Sequence, residues 1–342
     1  VRLLQVMAGA QYGGAEEFFV RLALAFEQEA IDQHVVIRGH SGRENRLRQG
    51  GVSIDTLPFR RYLDFRTGGR LTSIIRDWRP NIVLTWMSRA SHACSKIGPD
   101  GSFVHVGRIG GYYKLKYFRG CEHLVANTPG LVEYICDLGW PATRVHYLPN
   151  FVSERRAMPL DRALLSTPAE APLLLALGRF HENKAFDVLL KAMVSLPSHW
   201  LWLVGGGPQE SVLREQVARL GLEERVRFAG WRDEVAPLFA AADILVCPSR
   251  SEPLGNVVLE AWAQQVPVVA AAAQGLRQLI DDGVNGLLAP VGDASALAAR
   301  ITEVTSERSK ELAMAGWASY RASFSQETVV KRYIDFFKSV TP

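Results

Sequence analysis

Ile244-Leu245-Val246-Cys247-Pro248-Ser249-Arg250-Ser251-Glu252-Pro253-Leu254-Gly255-Asn256-Val257-Val258-Leu259-Glu260 runs from an apolar strand-length segment through a turn into a helical start. Pro253 and Gly255 suit a turn into a helix beginning near Asn256, whose first backbone N–H groups and positive dipole end make a site for an anion. Glu252 lies just before that end and Glu260 about one turn inside it. One carboxylate can bond sugar hydroxyls and the other ribose hydroxyls, on either side of a diphosphate at the helix start.

The same strand-then-helix rhythm extends outward in both directions. Strand candidates in the second half are Leu173–Leu177, Leu201–Val204, Val226–Phe228, Ile244–Cys247, Val266–Ala270 and Gly286–Leu288. Those in the first half are Leu3–Met7, His34–Ile37, Ser53–Leu57, Ile82–Trp86, Phe103–Val106, His123–Ala126 and Val145–Leu148. Helical stretches separate most of them. In Glu16–Glu29, Phe19, Leu22, Ala23 and Phe26 recur at steps of three and four to form one apolar stripe. Such alternation is the signature of βαβ units and parallel sheets, so the expected fold is α/β with two doubly wound, Rossmann-like domains. The rhythm restarts after Leu148-Pro149-Asn150, and the polar, proline-bearing stretch to Pro172 reads as a linker. Helical patterns Ala294–Val304, Lys310–Ala322 and Gln326–Val340 close the chain. The last sets Val329, Val330, Tyr333, Phe336 and Phe337 on one face, which needs a partner surface.

With 342 residues, 48% hydrophobic and 22% charged, the chain has enough apolar surface for two cores, which excludes a disordered or coiled chain. Its apolar runs fall far short of the ~18 residues of a membrane-spanning helix. The strand-like opening Val1–Met7 leads to the expectation of no secretory leader. Cys94, Cys121, Cys136 and Cys247 are far apart and form no metal-ligand spacing, so they read as reduced structural thiols in a cytoplasmic protein. Charge is uneven: residues 1–150 carry 19 Lys and Arg against 13 Asp and Glu, and the rest 20 against 22. A basic first half attracts anionic surfaces such as lipid headgroups or phosphorylated glycans; no recognised nucleic-acid module accompanies the charges, so no nucleic-acid partner is expected.

Three further features carry chemistry. Gly178-Arg179-Phe180-His181-Glu182-Asn183-Lys184 follows a strand, placing Arg179 at the carboxyl end and Lys184 at the next helix start, a pair suited to a diphosphate. Gly205, Gly206 and Gly207 end the next strand in a turn that allows backbone to approach a ligand. They fail as a dinucleotide fingerprint because Glu210 stands where a third glycine is required, so no nicotinamide cofactor is expected. Tyr12-Gly13-Gly14-Ala15-Glu16 follows the opening strand, and its two glycines before a helix can present backbone to an anion. No Asp-x-Asp metal signature occurs, so no metal site is expected.

Taken together these residues resemble the Glu-x7-Glu motif and flanks of retaining GT-B glycosyltransferases, most closely glycosyltransferase family 4. The motifs Gly178-Arg179 to Lys184, Val204 to Pro208, Phe228-Ala229-Gly230, Ala242-Asp243-Ile244 and Gly283-Val284-Asn285-Gly286-Leu287 follow the family's order over the whole chain. The resemblance implies an acceptor-side domain over 1–152, a nucleotide-sugar domain over 153–325, and a final helix, 326–342, returning to the N-terminal domain, with the two domains facing a cleft. It implies sugar transfer from a nucleoside-diphosphate sugar with anomeric retention and without metal or other cofactor. Arg179, Lys184 and Glu252 are the expected catalytic residues. Gly13, Gly14, Gly178, Gly205, Gly206, Gly207, Leu254, Gly255, Asn256 and Glu260 are expected on the donor.

Many relatives place a histidine or aspartate after a late strand of the N-terminal domain; here His105 lies within Phe103–Val106 and Arg108 after it, so Arg108 is the expected cleft residue and His105 the buried one. Arg108 and Tyr112 are the candidates on the acceptor side. Aromatic and basic residues interleave over Phe59–Arg66 and Tyr112–Arg119, a mixture suited to an anionic membrane surface. The second stretch is similar to family members acting on lipopolysaccharide and other cell-surface glycans, so the expected acceptor is a glycan or lipid-linked glycan. The alternatives are a GT-B sugar-nucleotide 2-epimerase and a non-catalytic sugar-nucleotide-binding module.

Overall fold

The computed structural model describes residues 1–11, 13–60, 64–95, 97, 102–232 and 234–341, without the side chain of Phe65. The chain divides into two compact units, Val1–Phe151 with Gln326–Pro342, and Val152–Ser325.

The first unit runs β1 (Leu3–Met7), α1 (Gly14–Gln28), β2 (Gln33–Arg38), α2 (Ser41–Gln49), β3 (Ile54–Leu57), α3 (Phe65–Trp78), β4 (Ile82–Trp86), α4 (Met87–Cys94), β5 (Val104–Ile109), β6 (His123–Ala126), α5 (Pro129–Asp137) and β7 (Val145–Tyr147). All strand pairings are parallel, in the order β3-β2-β1-β4-β5-β6-β7. The central strands β1 and β4 are buried along their whole length, as expected of a sheet covered on both faces. Phe19, Leu22, Ala23 and Phe26 of α1 pack into this core.

The second unit runs β8 (Leu173–Leu177), α6 (Phe186–Val194), β9 (Trp200–Val204), α7 (Glu210–Arg219), β10 (Val226–Gly230), α8 (Ala236–Ala241), β11 (Ile244–Cys247), α9 (Asn256–Ala263), β12 (Val268–Ala271), α10 (Gln274–Leu279), β13 (Leu287–Ala289), α11 (Ala294–Thr302) and α12 (Ser306–Ser323). Its parallel sheet has the order β10-β9-β8-β11-β12-β13. The order reverses between β8 and β11, so the crevice beyond their carboxyl ends is the place where such sheets bind ligands. Trp262 fixes α9 there. It is fully buried, its indole N–H donates to Asn285 O at 3.0 Å, and a Cβ on Gly316 of α12 would lie 2.3 Å from its ring. Burying a ring of this size contributes roughly 4–6 kcal/mol of transfer free energy.

The stretch read as a linker lies against the second unit. Arg162 donates to Ala241 O at 2.7 Å and reaches Asp243, and Leu160 N–H donates to Pro237 O. α13 (Gln326–Val340) belongs to the first unit, burying Val329, Val330, Tyr333, Phe336 and Phe337 in the same core as α1. Among the described residues no helix is long and apolar enough to cross a membrane.

β5 is longer than the sequence reading allowed. It continues through Ile109, with Arg108 paired in register with Trp86, because the glycine at 107 and the arginine at 108 hid the apolar pattern. Arg108, expected in a cleft, is therefore an interior residue, 2% exposed. Its guanidinium lies over the neighbouring rings of Phe18 and Trp86 at 4.6 and 4.5 Å, and donates to Tyr333 Oη at 2.9 Å and to Asn150 Oδ1. A buried cation needs such partners, and here they come from α13 and the end of the unit.

Candidate active site

The turn after β8 carries Arg179 and Lys184 at the carboxyl edge of the sheet, and the turn after β11 brings Glu252 beside Lys184. Lys184 Nζ donates to Glu252 Oε2, with the two side chains only 24% and 12% exposed. Burial pulls the Lys184 ammonium down, but Glu252, with Cys247 and Glu260 nearby, outweighs it and holds the lysine above its usual range. Lys184 is therefore charged, and both glutamates of the Glu-x7-Glu spacing act on it. Ser249, itself buried, donates to the same Glu252 oxygen at 3.3 Å, and Gly275 N–H of α10 donates to Glu252 O at 3.1 Å. The carboxylate and its backbone are thus held separately.

Arg179 is exposed and makes no ion pair among the described residues. Gly255 precedes α9 at φ +85° and no side chain caps the helix, so the positive end of its dipole faces the turn that bears Glu252. Asn256 and Glu260, four residues apart, share one face of α9 and are half-buried, while Leu254 is buried in the core beneath the turn.

The glycine turn after β9 serves the chain itself. At Gly205 a Cβ would lie 2.0 Å from Gly178 O, and at Gly207 2.6 Å from Phe180 O. Phe180 N–H donates to Gly206 O at 2.9 Å and Gln209 N–H to Phe180 O at 3.0 Å. These two glycines let the Gly178–Phe180 loop and the Gly205–Gly207 loop touch, and so fix the base from which Arg179 projects. At Gly206 the nearest atom to a Cβ is Glu210 Oε2 at 3.9 Å, which leaves that backbone open to a ligand.

In the first unit Gly13 caps α1 and Gly14 begins it; Tyr12 lies outside the described residues. Glu16 folds under this loop and accepts the Ala10 N–H at 2.8 Å, and a Cβ on Gly13 would lie 2.3 Å from its Oε2. His105 is interior, bonded to Gly120 O at 2.9 Å and Thr85 Oγ1 at 3.0 Å, and burial pushes its pKa down to about 4. It is neutral at pH 7 and structural. Tyr112 is 45% exposed and edge-on to Tyr134.

In the two interleaved stretches, most of the described rings pack into the unit. Phe118 is in the core, and Tyr113, Leu115 and Tyr117 pack against it, while Lys114, Lys116 and Arg119 are exposed. Phe59 is buried and Arg60 and Arg66 exposed, with residues 61–63 outside the described set. Apart from Tyr112, the described rings of the two stretches are turned inward and the described cations outward, with Tyr62 and the Phe65 side chain outside the described set.

Sequence reading missed the ties that hold the site. Arg250 makes two parallel bonds to Asp187, and its backbone N–H donates to Asn183 O, next to Lys184. Opposite charges flanking the two motifs were visible, but residues 63 apart follow no spacing rule that pairs them.

Two Rossmann-type units in one chain, one of them presenting paired cations and carboxylates at its switch point, define the GT-B class of glycosyltransferases. The pattern described as Glycosyl transferases group 1 matches residues 171–307, and that described as Glycosyltransferase Family 4 matches residues 12–156. Lipopolysaccharide core biosynthesis glycosyltransferase LpsE of Rhizobium meliloti (strain 1021) is 37% identical over 332 residues, 96% of each chain. LpsD of the same organism is 32% identical over 98% of each chain. The crystal structure of Anabaena Alr3699/HepE in complex with UDP superposes with a TM-score of 0.88 at 20% identity, covering 99% of this chain and 100% of that one. The chain belongs to glycosyltransferase family 4 and is a glycosyltransferase, which sets aside the epimerase and binding-module alternatives.

Proposed function

We propose that this glycosyltransferase moves a sugar from a nucleoside-diphosphate sugar to a lipopolysaccharide or related cell-envelope glycan, with retention at the anomeric carbon and without a metal ion. The observation that carries the reading is the convergence of Lys184, Arg179, Glu252, Glu260 and the uncapped start of α9 at the carboxyl ends of β8 and β11. HepE was crystallised with UDP, which supports a nucleotide donor, and the names of LpsE and LpsD support the acceptor class.

Charge develops on the departing diphosphate as the bond from its oxygen to the anomeric carbon breaks. Arg179, Lys184 and the α9 N–H groups meet that charge in place of a metal. Glu252, held as an acceptor by Lys184 and Ser249, bonds sugar hydroxyls; Glu260 bonds the ribose. The acceptor hydroxyl attacks the anomeric carbon on the face from which the diphosphate leaves, and its proton passes to a leaving phosphate oxygen.

For the acceptor, the first unit carries 22 Lys and Arg against 15 Asp and Glu, and its exposed cations suit an anionic lipid surface or lipid-linked glycan. With Phe59 and Phe118 buried and the neighbouring cations exposed, contact with a membrane is mainly electrostatic and reversible, on the cytoplasmic side. The four free cysteines agree with a reducing compartment.

The test is a panel of UDP-glucose, UDP-galactose and GDP-mannose, scored for hydrolysis and for transfer to extracted lipopolysaccharide in excess EDTA. The anomer of the product is read by NMR. An inverted product, or turnover abolished by EDTA, contradicts the mechanism; failure of every donor contradicts the donor reading.

A further inference from the structure

Between the turn that bears Lys184 and the turn that bears Glu252 lies a second set of contacts that touches neither group directly. Arg250 Nη1 and Nη2 donate to Asp187 Oδ1 and Oδ2 at 2.8 and 2.7 Å, and Nη1 also donates to Glu182 O at 2.9 Å. Its backbone N–H donates to Asn183 O at 2.8 Å. The partners at 182, 183 and 187 bracket Lys184 on both sides, while Arg250 itself stands between Ser249 and Glu252. We propose that Arg250 and Asp187 are positioning residues for sugar transfer, setting the spacing at which Lys184 and Glu252 present charge to the donor. This rests on the reading of those two groups given above.

The physical case turns on what such a pair can and cannot do. The two side chains are 40% and 37% exposed, so water screens them and they add little to overall stability. A bidentate arginine–carboxylate pair nevertheless fixes both distance and direction. Arg250 holds the Asp187 carboxyl below its usual range, and Asp187 raises the guanidinium, as mutual bonding requires. Lys184 needs that restraint, because it sits on a short 3-10 turn, Glu182–Lys184, followed by Ala185 at φ +53°, rather than inside a regular helix. Glu252 likewise lies in a turn. Without the side-chain clamp, two catalytic charges on separate loops are referenced to each other only by their own bond and by the backbone bonds to Asn183 O.

The experiment compares Asp187→Asn, Arg250→Met, Arg250→Lys and the exchange Asp187→Arg/Arg250→Asp with wild type, using whichever of UDP-glucose, UDP-galactose and GDP-mannose is hydrolysed fastest. A misplacement of about 1 Å costs on the order of 10²-fold, so Asp187→Asn and Arg250→Met should lose ~10–100-fold in kcat. KM and UDP affinity should stay within about 3-fold, because Arg179, Glu260 and the α9 start still hold the nucleotide. The exchange should recover most of the lost kcat, and Arg250→Lys, which keeps charge but not the fork, should fall between. Unchanged kcat in the single variants overturns the proposal. So does a loss confined to KM, or a loss that neither the exchange nor Arg250→Lys relieves, which would mean that Arg250 meets the donor itself. Lys184→Met serves as the separate control: full turnover there overturns the reading of the site, whatever the clamp variants do.

Discussion

Lys184→Met removes the ammonium that faces Glu252 and leaves a carboxylate only 12% exposed, with the Ser249 hydroxyl as its remaining side-chain donor. Taking one partner from a buried ion pair costs ~3–5 kcal/mol. Lys184 is 24% exposed and Ser249 stays, so about 3 kcal/mol at the low end of that range is the expected loss. For a unit spanning Val152–Ser325, at roughly 2–4 °C per kcal/mol, the unfolding midpoint should fall by about 6–12 °C. Adding Glu252→Gln removes the stranded charge, so the double variant should be more stable than Lys184→Met alone, with a coupling of about 2 kcal/mol. Turnover should not return with stability, because neither charge is left for the donor. The pair lifts the folded pKa of Lys184 above its ordinary 10.5, so its contribution is complete below that value and lost as pH rises through the higher one. Urea or thermal unfolding at pH 7.5, well inside that plateau, measures the full cycle. Single-variant losses that simply add in the double, within about 0.5 kcal/mol, would refute the coupling, and restored turnover would refute the catalytic role.

Arg179→Ala should keep the fold, since the side chain is exposed, and lose about 10²–10³ in turnover; near-normal turnover would remove Arg179 from the charge-stabilising set. Glu260→Ala should mainly weaken UDP binding by calorimetry, and Glu252→Ala mainly turnover; equal losses of UDP binding contradict the division of roles. His105 has a folded pKa of about 4 against an ordinary 6.5, so its contribution is complete above pH 6.5 and lost as pH falls toward 4. That loss is worth about 3 kcal/mol in the first unit, with burial lowering His146 in the same direction. Acid unfolding of His105→Gln should be correspondingly flatter, and an unchanged slope would contradict the burial argument.

The parallel sheets were legible because each strand is a short apolar run and each helix carries a stripe; Leu3–Met7, Ile82–Trp86, Leu173–Leu177 and Ile244–Cys247 are found at their expected ends. The helix start at Asn256 was legible from Pro253 and Gly255, whose turn chemistry is local. Arg108 was misjudged because a charged residue in a buried strand breaks the pattern, and the partner that stabilises it, Tyr333, is 225 residues away. Gly205 and Gly207 show a complementary limit: a missing side chain states that something is close, and here that something is the Gly178–Phe180 backbone, which local sequence does not name. The pairing of Lys184 with Glu252 and of Arg250 with Asp187 depends on two loops meeting across the β8–β11 reversal, which sheet order supplies and local sequence does not.

α13 has a consequence for biosynthesis. The first unit is made of two segments, and the tyrosine that bonds Arg108 and the phenylalanine that meets Phe26, Phe337, lie in the one translated after the whole of Val152–Ser325. At ~5–20 residues per second, roughly 10–45 s separate the synthesis of Arg108 from that of Tyr333. By the end of that interval the second unit has all of its own segments, while the nascent first unit still lacks the Tyr333 partner of Arg108 and the cover for its apolar face. The unit that holds Val1–Phe151 is thus completed only after Val152–Ser325 has been made, and the period before α13 arrives is when chaperone capture or premature proteolysis has its opening.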